Sequence, residues 1–272
     1  SIYSPISEPQ FFGDILWHWH DEFELGYVVE GVLLYATSRH EYVLHEGDAI
    51  FINSGVLHYL HPLVPAKDAK IHTQFFDRTF LAGYENSLFD SKYVTPVMEQ
   101  KEVDAIPFYH QNKEDCYLLS QIMEAVHIAH RRQPFFEFHL RSLFSTFWET
   151  VFTRTAKQEH TDVAFNAAED ERIKKMLSFI QDNYSEKLTV SQIAGCVPIS
   201  ERECYRIFQH SLGIAPAEFL LSFRLKKAQE LLTTTQKSIL EIALETGFCG
   251  SSHFGKLFKQ QYHVSPGEYR RQ

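Results

Sequence analysis

Four polar side chains in the N-terminal part of the chain could bind a metal ion or hydrogen-bond a ligand: His18, His20, Glu24 and His58. Two histidines at i and i+2 point to one face of a β-strand. Imidazole and carboxylate groups together suit a divalent ion such as Zn, Mn or Fe. The same groups could instead form the hydrogen-bonding walls of a metal-free pocket or pack in the core. The residues alone leave these three interpretations open.

Aromatic residues accompany these polar groups in the same segment. Aromatic faces beside histidine and carboxylate groups suit a polyhydroxylated ligand, because sugar rings stack on them while the hydroxyls take directed hydrogen bonds. Residues 1–168 carry 12 Lys+Arg and 23 Asp+Glu, and this net charge of −11 argues against a polyanionic ligand. We therefore predict an effector site formed by Trp17, His18, His20, Glu24, Tyr27 and His58.

The elements that must position these residues have the pattern of short β-strands. Between about Phe11 and Asp77, runs such as LGYVV, GVLLYA, EYVL and AIFI are rich in β-branched and aromatic residues, and Gly31 and Gly47 mark turns. Short strands at spacings of roughly 8 to 12 residues predict an antiparallel barrel or sandwich. We expect residues 1–105 to form an antiparallel β-barrel.

The apolar periodicity becomes helical from about Glu114 to Phe152, and Pro134 interrupts it. Two helices are predicted, within a segment at 106–160. Their apolar faces could simply cover the barrel or could also form a dimer seam, and we favour the seam. The stretch 155–170 has few large apolar residues and is predicted to be a linker.

The remaining residues, 169–272, contain an internal near-repeat of about 50 residues. Ile193-Ala194 of the first copy corresponds to Ile242-Ala243 of the second, and Phe208 corresponds to Phe258. The first offset is 49 and the later one is 50, so the turn of the second copy is one residue longer. A repeated helix, tight turn and helix has the size and order of a helix-turn-helix motif.

Polar residues begin the second helix of each copy, opposite its apolar face. The N-terminal part of a recognition helix is the part that meets base edges, where Arg pairs with guanine and Ser or His reaches a base edge or a phosphate. A solvated helix face is the alternative for one copy alone, but matching positions in two copies favour DNA contact. The predicted DNA-binding residues are Glu201, Arg202, Tyr205, Arg206, Ser251, Ser252, His253 and Lys256.

Residues 169–272 resemble, over their whole length, the DNA-binding domain of the AraC/XylS family of transcription regulators. The motifs are LTVSQIA, ISERECYRIFQHSLGIAPAEFLLSFRLKKAQELLTTT, SILEIALETGF and SHFGKLFKQQYHVSPGEYR. The resemblance implies seven helices, with a long connector at Phe219–Leu232 that places both recognition helices in successive major grooves. It also implies RNA polymerase as a partner.

The segments GDILWHWHDEFELGYVVEG and EGDAIFINSGVLH resemble the two cupin motifs, as found in the sensor domains that precede many AraC-family DNA-binding domains. Asn53 stands where the second motif usually has proline. Regulators with this architecture keep such histidines and carboxylates as pocket walls without metal. We therefore expect a pocket that needs neither metal nor cofactor, and the metal site remains the alternative.

These features together predict an α+β protein: a cupin-like antiparallel β-barrel, a helical dimerisation and linker segment, and an all-α domain with two helix-turn-helix motifs. The expected function is a homodimeric, sequence-specific activator that binds double-stranded promoter DNA and responds to a small sugar, without enzymatic activity. One alternative is a metal-dependent cupin enzyme fused to a DNA-binding domain. Another is a ligand-free dimeric activator.

Composition and charge agree with this interpretation. The net charge of the whole chain, −9, would argue against nucleic-acid binding. Residues 169–272, however, carry 14 Lys+Arg and 12 Asp+Glu and so have a net charge of +2. No apolar run reaches the roughly 18 residues of a membrane span, and the first residues do not resemble a signal peptide, so a cytoplasmic location is expected. The four cysteines form no C-x-x-C pair and are expected to be reduced thiols.

Overall fold

The computed structural model describes residues 2–3, 15–65, 68–157 and 166–271. The chain divides into two compact units, Ser1–Phe165 and Asn166–Gln272. All described strands lie in the first unit and the second is helical, which confirms the predicted α+β class. Within the described parts of the chain, no helix is both long and apolar enough to cross a membrane.

The strands of the first unit form two antiparallel sheets instead of one closed barrel. One described sheet has the order β1-β8-β3-β6-β9 and the other β2-β7-β4-β5. Large apolar side chains from both sheets fill the space between them, so packing rather than continuous hydrogen bonding joins the two layers. The strands are β1 (Ile2–Tyr3), β2 (Ile15–His18), β3 (Phe23–Glu30), β4 (Val32–Thr37), β5 (Glu41–His45), β6 (Ala49–Ile52), β7 (His58–Pro62), β8 (Lys70–Phe76) and β9 (Ala105–Phe108).

Strand β3 illustrates how the alternation of side chains organises this unit. Val28 packs between the two sheets, with Leu33 and Tyr35 of β4. Phe23 and Leu25 have the opposite parity and pack with the helices on the other face of the five-stranded sheet. Five of the eight residues of β3 are buried on one side or the other, and the remaining three are half-buried.

Helices cover the outer face of the five-stranded sheet. Two long helices, α3 (Lys113–Arg131) and α4 (Phe136–Lys157), pack their apolar faces onto it. The break between them comes where Pro134 predicted it, and Arg132 ends α3 in a left-handed conformation. Shorter elements precede them: α1 (Arg78–Ala82), a π-helical turn (Asp90–Val94) and α2 (Thr95–Glu99).

Seven helices lie within the described residues 166–271 of the second unit, the number that the family resemblance implied. Side-chain caps mark several of their starts: Thr189 caps α6, Ser200 caps α7 and Ser238 caps α9. The helices are α5 (Ala167–Asn183), α6 (Val190–Gly195), α7 (Glu201–Leu212), α8 (Pro216–Thr234), α9 (Ile239–Glu245), α10 (Ser251–Tyr262) and α11 (Pro266–Tyr269).

The predicted linker at 155–170 is shorter than its composition indicated. Helix α4 continues to Lys157, and α5 begins at Ala167 with Asn166 as its N-cap. A cap and an acidic first turn stabilise a helix start even where large apolar residues are absent. Residues 158–165 of the predicted linker lie outside the described residues.

Candidate functional site

The four polar residues singled out in the N-terminal unit converge at one end of the two sheets. His18 ends β2, Glu24 lies in β3, His58 begins β7, and His20 lies in the loop between β2 and β3. One ligand atom from each residue lies within 4.8 Å of those of the other three. Strands β2 and β7 pair His18 directly with His58, which places their rings 4.1 Å apart. We call these four residues the histidine cluster.

Each histidine of the cluster is held by a backbone carbonyl. Nδ1 of His18 donates to the oxygen of Leu16 at 2.9 Å, Nδ1 of His20 to that of Glu22 at 2.9 Å, and Nδ1 of His58 to that of Val56 at 2.8 Å. The bond to a carbonyl fixes the tautomer, because a carbonyl oxygen only accepts. All three Nδ1 atoms are thereby engaged away from the centre of the cluster.

Glu24 is the anionic centre of the cluster. Its side chain is buried, and its Oε2 lies 3.1 Å from Nε2 of both His20 and His58. The hydroxyl of Tyr35 donates to its Oε1 at 2.9 Å. Gly26 permits this bond, since a Cβ atom at Gly26 would lie 2.7 Å from the Tyr35 hydroxyl.

The electrostatics of the cluster keep Glu24 charged. Burial opposes ionisation, but His58 and His20 outweigh it and hold the pKa of Glu24 far below its usual range. Burial, together with the neighbouring His58, lowers the pKa of His18 to about 4. Burial also acts on His20, yet its hydrogen bond to Glu24 raises the pKa of that imidazole. The cluster therefore contains a carboxylate and a neutral His18 at neutral pH.

A second polar group, missed in the sequence, adjoins the histidine cluster. The buried Asp104 accepts hydrogen bonds from the hydroxyl of Thr37 at 2.5 Å and from Nδ1 of His40 at 3.0 Å. Thr37 pairs with His58 between β4 and β7, so the two groups are neighbours. The hydrogen bond to Asp104 raises the pKa of His40. Asp104 lies more than 60 residues from its partners in sequence, and only the fold brings them together.

Two predicted effector-site residues do not join the cluster. Trp17 lies on the opposite face of β2 from His18, where its ring stacks on Tyr59 at 5.6 Å. Tyr27 packs against the apolar layer beneath α3 and α4, on the opposite face of β3 from Glu24. The structure therefore brings four of the six predicted effector-site residues together and places these two rings elsewhere, because adjacent strand residues face opposite ways.

Asn53, which replaces the proline of the second cupin motif, holds the loop around the cluster together. Its side-chain amide donates to the carbonyl oxygens of Val97 at 2.8 Å and Val103 at 3.1 Å. Its backbone N–H donates to the oxygen of Asp104 at 2.9 Å. Proline could make none of these bonds. The substitution thus fastens the chain that carries Asp104.

The first recognition helix, α7, presents its predicted residues to solvent. Cys204, Ile207 and Phe208 are buried, whereas Tyr205 is 46% exposed. Glu201 and Arg202 are also exposed, at the start of the helix. This division between an apolar inner face and a polar outer face is the one that the repeat predicted.

Arg206, on the same helix, is engaged within the protein. Its guanidinium donates to Glu203 at 2.8 Å and to Glu169 of α5 at 2.8 Å. His210 also contacts Glu169, at 2.7 Å. Burial opposes the ionisation of Glu169, but Arg206 and His210 lower its pKa overall. These bonds hold α7 against α5.

The second recognition helix, α10, exposes Ser251, Ser252, His253 and Lys256 and buries Phe254 and Phe258. Its start differs from that of α7. Gly250 occupies the N-cap position and provides no side-chain hydrogen bond, and the first turn contains no acidic residue. Backbone N–H groups at such a helix start can bind a phosphate.

Comparison with known proteins assigns both units. The model of the AraC-like ligand binding domain matches residues 14–143, and that of a helix-turn-helix domain matches residues 193–272. The transcriptional regulator YdeC of Bacillus subtilis is 24% identical over 95% of this chain and 87% of its own length. MtrA of Neisseria gonorrhoeae is 36% identical over 38% of this chain, and this chain spans only 35% of its length.

Two further comparisons concern a sugar-operon regulator and a solved structure. The melibiose operon regulatory protein of Escherichia coli is 31% identical over 46% of this chain and 41% of its own length. The structure of ToxT from Vibrio cholerae has a TM-score of 0.52 with 15% identity, over 100% of this chain and 97% of that one, and so shows the fold alone. The family models of the ligand-binding domain and of the helix-turn-helix domain together cover most of this chain. The protein therefore belongs to the AraC family of ligand-binding, DNA-binding transcription regulators.

Proposed function

We propose that this regulator is a homodimeric activator of carbohydrate-utilisation genes, with a small sugar as its effector. Helices α7 and α10 contact the promoter, and the effector binds beside the histidine cluster. The observation that carries the DNA-binding part is the paired arrangement of α7 and α10, each with a buried apolar face and exposed polar residues at its start.

The sugar part rests on the polar groups gathered at one end of the sheets. The histidine cluster and the neighbouring His40 and Thr37 offer several donors and acceptors within a small region, which is what the hydroxyls of a sugar require. A relative named as the melibiose operon regulatory protein favours a carbohydrate over other small polar effectors. Because Trp17 and Tyr27 lie outside the cluster, the proposal of a sugar effector depends on hydrogen bonding more than on ring stacking.

The dimer part rests on the outer faces of α3 and α4. Their inner faces cover the five-stranded sheet, while Tyr117 of α3 is 67% exposed and Phe138 of α4 is 73% exposed. Contiguous exposed apolar patches are typical of interaction sites, and we propose that these two side chains belong to such a patch. RNA polymerase is the further partner that an activator requires.

The first test uses the full chain and a DNA duplex selected by it from a random pool. We expect Arg202→Ala to cost about 1 to 3 kcal/mol in binding and to relax the sequence preference, since an exposed arginine at a helix start reads a base. We expect Lys256→Ala to weaken binding to all DNA sequences alike, as the loss of a phosphate contact does. It should also reduce the slope of log affinity against log salt concentration by about 1. Fluorescence anisotropy at several salt concentrations measures both.

The control for this test is Lys101→Ala, which removes an exposed positive charge from the other unit. It should leave affinity and salt slope unchanged. If Arg202→Ala and Lys256→Ala behave like Lys101→Ala, α7 and α10 do not contact DNA as proposed. The same assay with melibiose and other sugars tests the effector. A sugar that changes DNA affinity in the wild type but not in His40→Ala supports the proposed effector site. If no sugar of the panel changes DNA affinity, the proposal of a sugar effector is contradicted.

A further inference from the structure

We infer that Glu169 of α5 is a specificity-determining residue, because it occupies an N–H group that Arg206 of α7 needs for bidentate recognition of guanine. The side chain of Arg206 is 51% exposed, yet its Nη2 donates to Oε2 of Glu169 at 2.8 Å. The inference rests on the proposed contact between α7 and DNA. It adds a residue outside the recognition helix to those that decide the base preference.

Hydrogen bonds to two carboxylates use three of the five N–H groups of the Arg206 guanidinium. Glu203 takes one edge of this planar group: its two oxygens accept from Nε at 2.9 Å and from Nη2 at 2.8 Å. The second N–H of Nη2 belongs to the neighbouring edge, and it donates to Glu169. The two N–H groups that these three bonds leave both belong to Nη1.

This distribution of bonds prevents Arg206 from pairing with guanine through two nitrogens. Bidentate pairing needs two N–H groups on one edge of the guanidinium, for O6 and N7 of the base. Glu203 covers the first edge, and Glu169 takes the Nη2 end of the second. Nη1 can still donate to a single base acceptor or to a phosphate, and a phosphate contact carries no sequence information. Removal of Glu169 would open the edge between Nη1 and Nη2.

The bond between Arg206 and Glu169 differs from an ordinary surface ion pair. The side chain of Glu169 is only 9% exposed, and its other oxygen lies 2.7 Å from Nδ1 of His210. Exposed ion pairs contribute little, whereas a buried carboxylate that loses a cationic partner is strongly destabilised. A guanine that approaches Arg206 therefore has to compete with Glu169 for Nη2.

The second helix-turn-helix copy has other residue types at the corresponding positions. With the offset of 50 residues, Lys256 of α10 corresponds to Arg206, and His253 corresponds to Glu203. A lysine ammonium is a point charge without the planar fork of a guanidinium. The effect of Glu169 should therefore be confined to the base pairs that α7 contacts, and those that α10 contacts serve as an internal reference.

The test compares the base preferences of full-chain variants. Sequences are selected from a random DNA pool, and fluorescence anisotropy then measures affinity for duplexes that differ at one base pair. Glu169→Met removes both acceptor oxygens and retains a long side chain at this buried position. We expect it to increase the preference for guanine at one position contacted by α7 by at least about 5-fold, the lower end of what a bidentate pair contributes.

The matched control is Glu171→Met, because Glu171 lies in the same helix and forms an exposed ion pair with Lys175 at 2.6 Å. It removes the same charge and should leave the base preference unchanged. In Glu169→Met/Arg206→Lys, which keeps the positive charge at 206 but lacks the fork, the gain for guanine should disappear. A purely structural role of Glu169 would instead weaken binding to all sequences alike.

Three results would overturn the inference: a uniform loss of affinity without a sharper preference, equal base preferences in Glu169→Met and Glu171→Met, or a gain for guanine that survives in the double variant. Circular dichroism melting identifies variants that fail to fold, and Glu169→Ala replaces Glu169→Met if the latter does so.

The variants of the first test separate this inference from the proposed function. If Arg202→Ala weakens DNA binding while Glu169→Met leaves the base preference unchanged, only the role of Glu169 is contradicted. If Arg202→Ala and Lys256→Ala also have no effect, the proposed contact of α7 and α10 with DNA is contradicted as well.

Discussion

The two helix-turn-helix copies share an inner framework and differ where they begin their recognition helices. Each copy buries an Ile-Ala pair, Ile193-Ala194 in the first and Ile242-Ala243 in the second, and each has a second helix of 12 residues. Recognition helix α7 begins with a serine cap and two acidic residues, whereas α10 begins with Gly250 and no acid. The packing is alike in both copies, and the helix starts proposed to contact DNA differ.

The turns also differ. Gly247 in the second turn has a positive φ of 81°, while the corresponding position of the first turn is Pro198, whose ring fixes φ near −65°. The additional residue of the second turn is Cys249, which precedes the N-cap Gly250. We expect the acid-free start of α10 to favour phosphate contact and the acidic start of α7 to disfavour it.

The largest effect that separates the copies is expected for Gly247→Ala. A Cβ atom there would lie 2.8 Å from the carbonyl oxygen of Tyr184 and 2.8 Å from Nε of Arg224, in addition to the strain of a positive φ. Overpacking and strain together should lower the free energy of unfolding by about 2 to 4 kcal/mol. Urea denaturation of the full chain, followed by circular dichroism, measures the loss.

The matched control is Gly213→Ala, which ends α7 with a φ of 70° but has no atom within 4 Å of the added Cβ. Strain alone should cost about 1 kcal/mol there. Equal losses in the two variants would show that the close approach to Tyr184 and Arg224 does not matter.

A smaller decrease in the free energy of unfolding is expected for Ser200→Ala. The Ser200 side chain accepts from the N–H of Glu203, and losing such a cap costs about 1 kcal/mol. The same change in the second copy, Gly250→Ala, removes no cap bond, and the φ of Gly250 is an extended value of 164°. Thermal melting should therefore distinguish the two alanine variants, and a larger loss for Gly250→Ala would contradict the difference in capping.

The smallest change in the free energy of unfolding is expected at the C-terminal ends of α7 and α10. Gly213 and His263 occupy corresponding left-handed positions, with φ values of 70° and 63°. His263→Gly should relieve strain and raise the free energy of unfolding by about 0.5 kcal/mol, and Gly213→His should lower it by a similar or larger amount. Denaturation curves showing the same sign for both changes would break the correspondence between the copies.

The helical half was predictable because its signals are local. Helical periodicity and a repeat with offsets of 49 and 50 indicated both motifs from the sequence alone. The length of the linker was overestimated because residues 155–170 lack large apolar groups, although Thr155 still lies in α4 and Asp170 already in α5.

The sensor half was predictable only in part. The spacing of His18, His20, Glu24 and His58 indicated that they converge, and the structure brings them together. Trp17 and Tyr27 were predicted to join them, but the structure places both rings on the opposite faces of their strands from His18 and Glu24. Strand β9 and the bonds of Asp104 depend on contacts between distant segments, which no local pattern reveals.

Strand β3 links the histidine cluster to an intrinsic fluorophore. Glu24 faces the cluster, and the adjacent Phe23 faces the other way, with its ring 4.7 Å from that of Trp148 in α4. Protein interiors are close-packed, so a shift of this strand on ligand binding must move Phe23 against the indole. We therefore expect the emission of Trp148 to respond to structural changes at Glu24, and in a variant with Trp17 and Trp19 replaced by phenylalanine it would be the sole tryptophan signal.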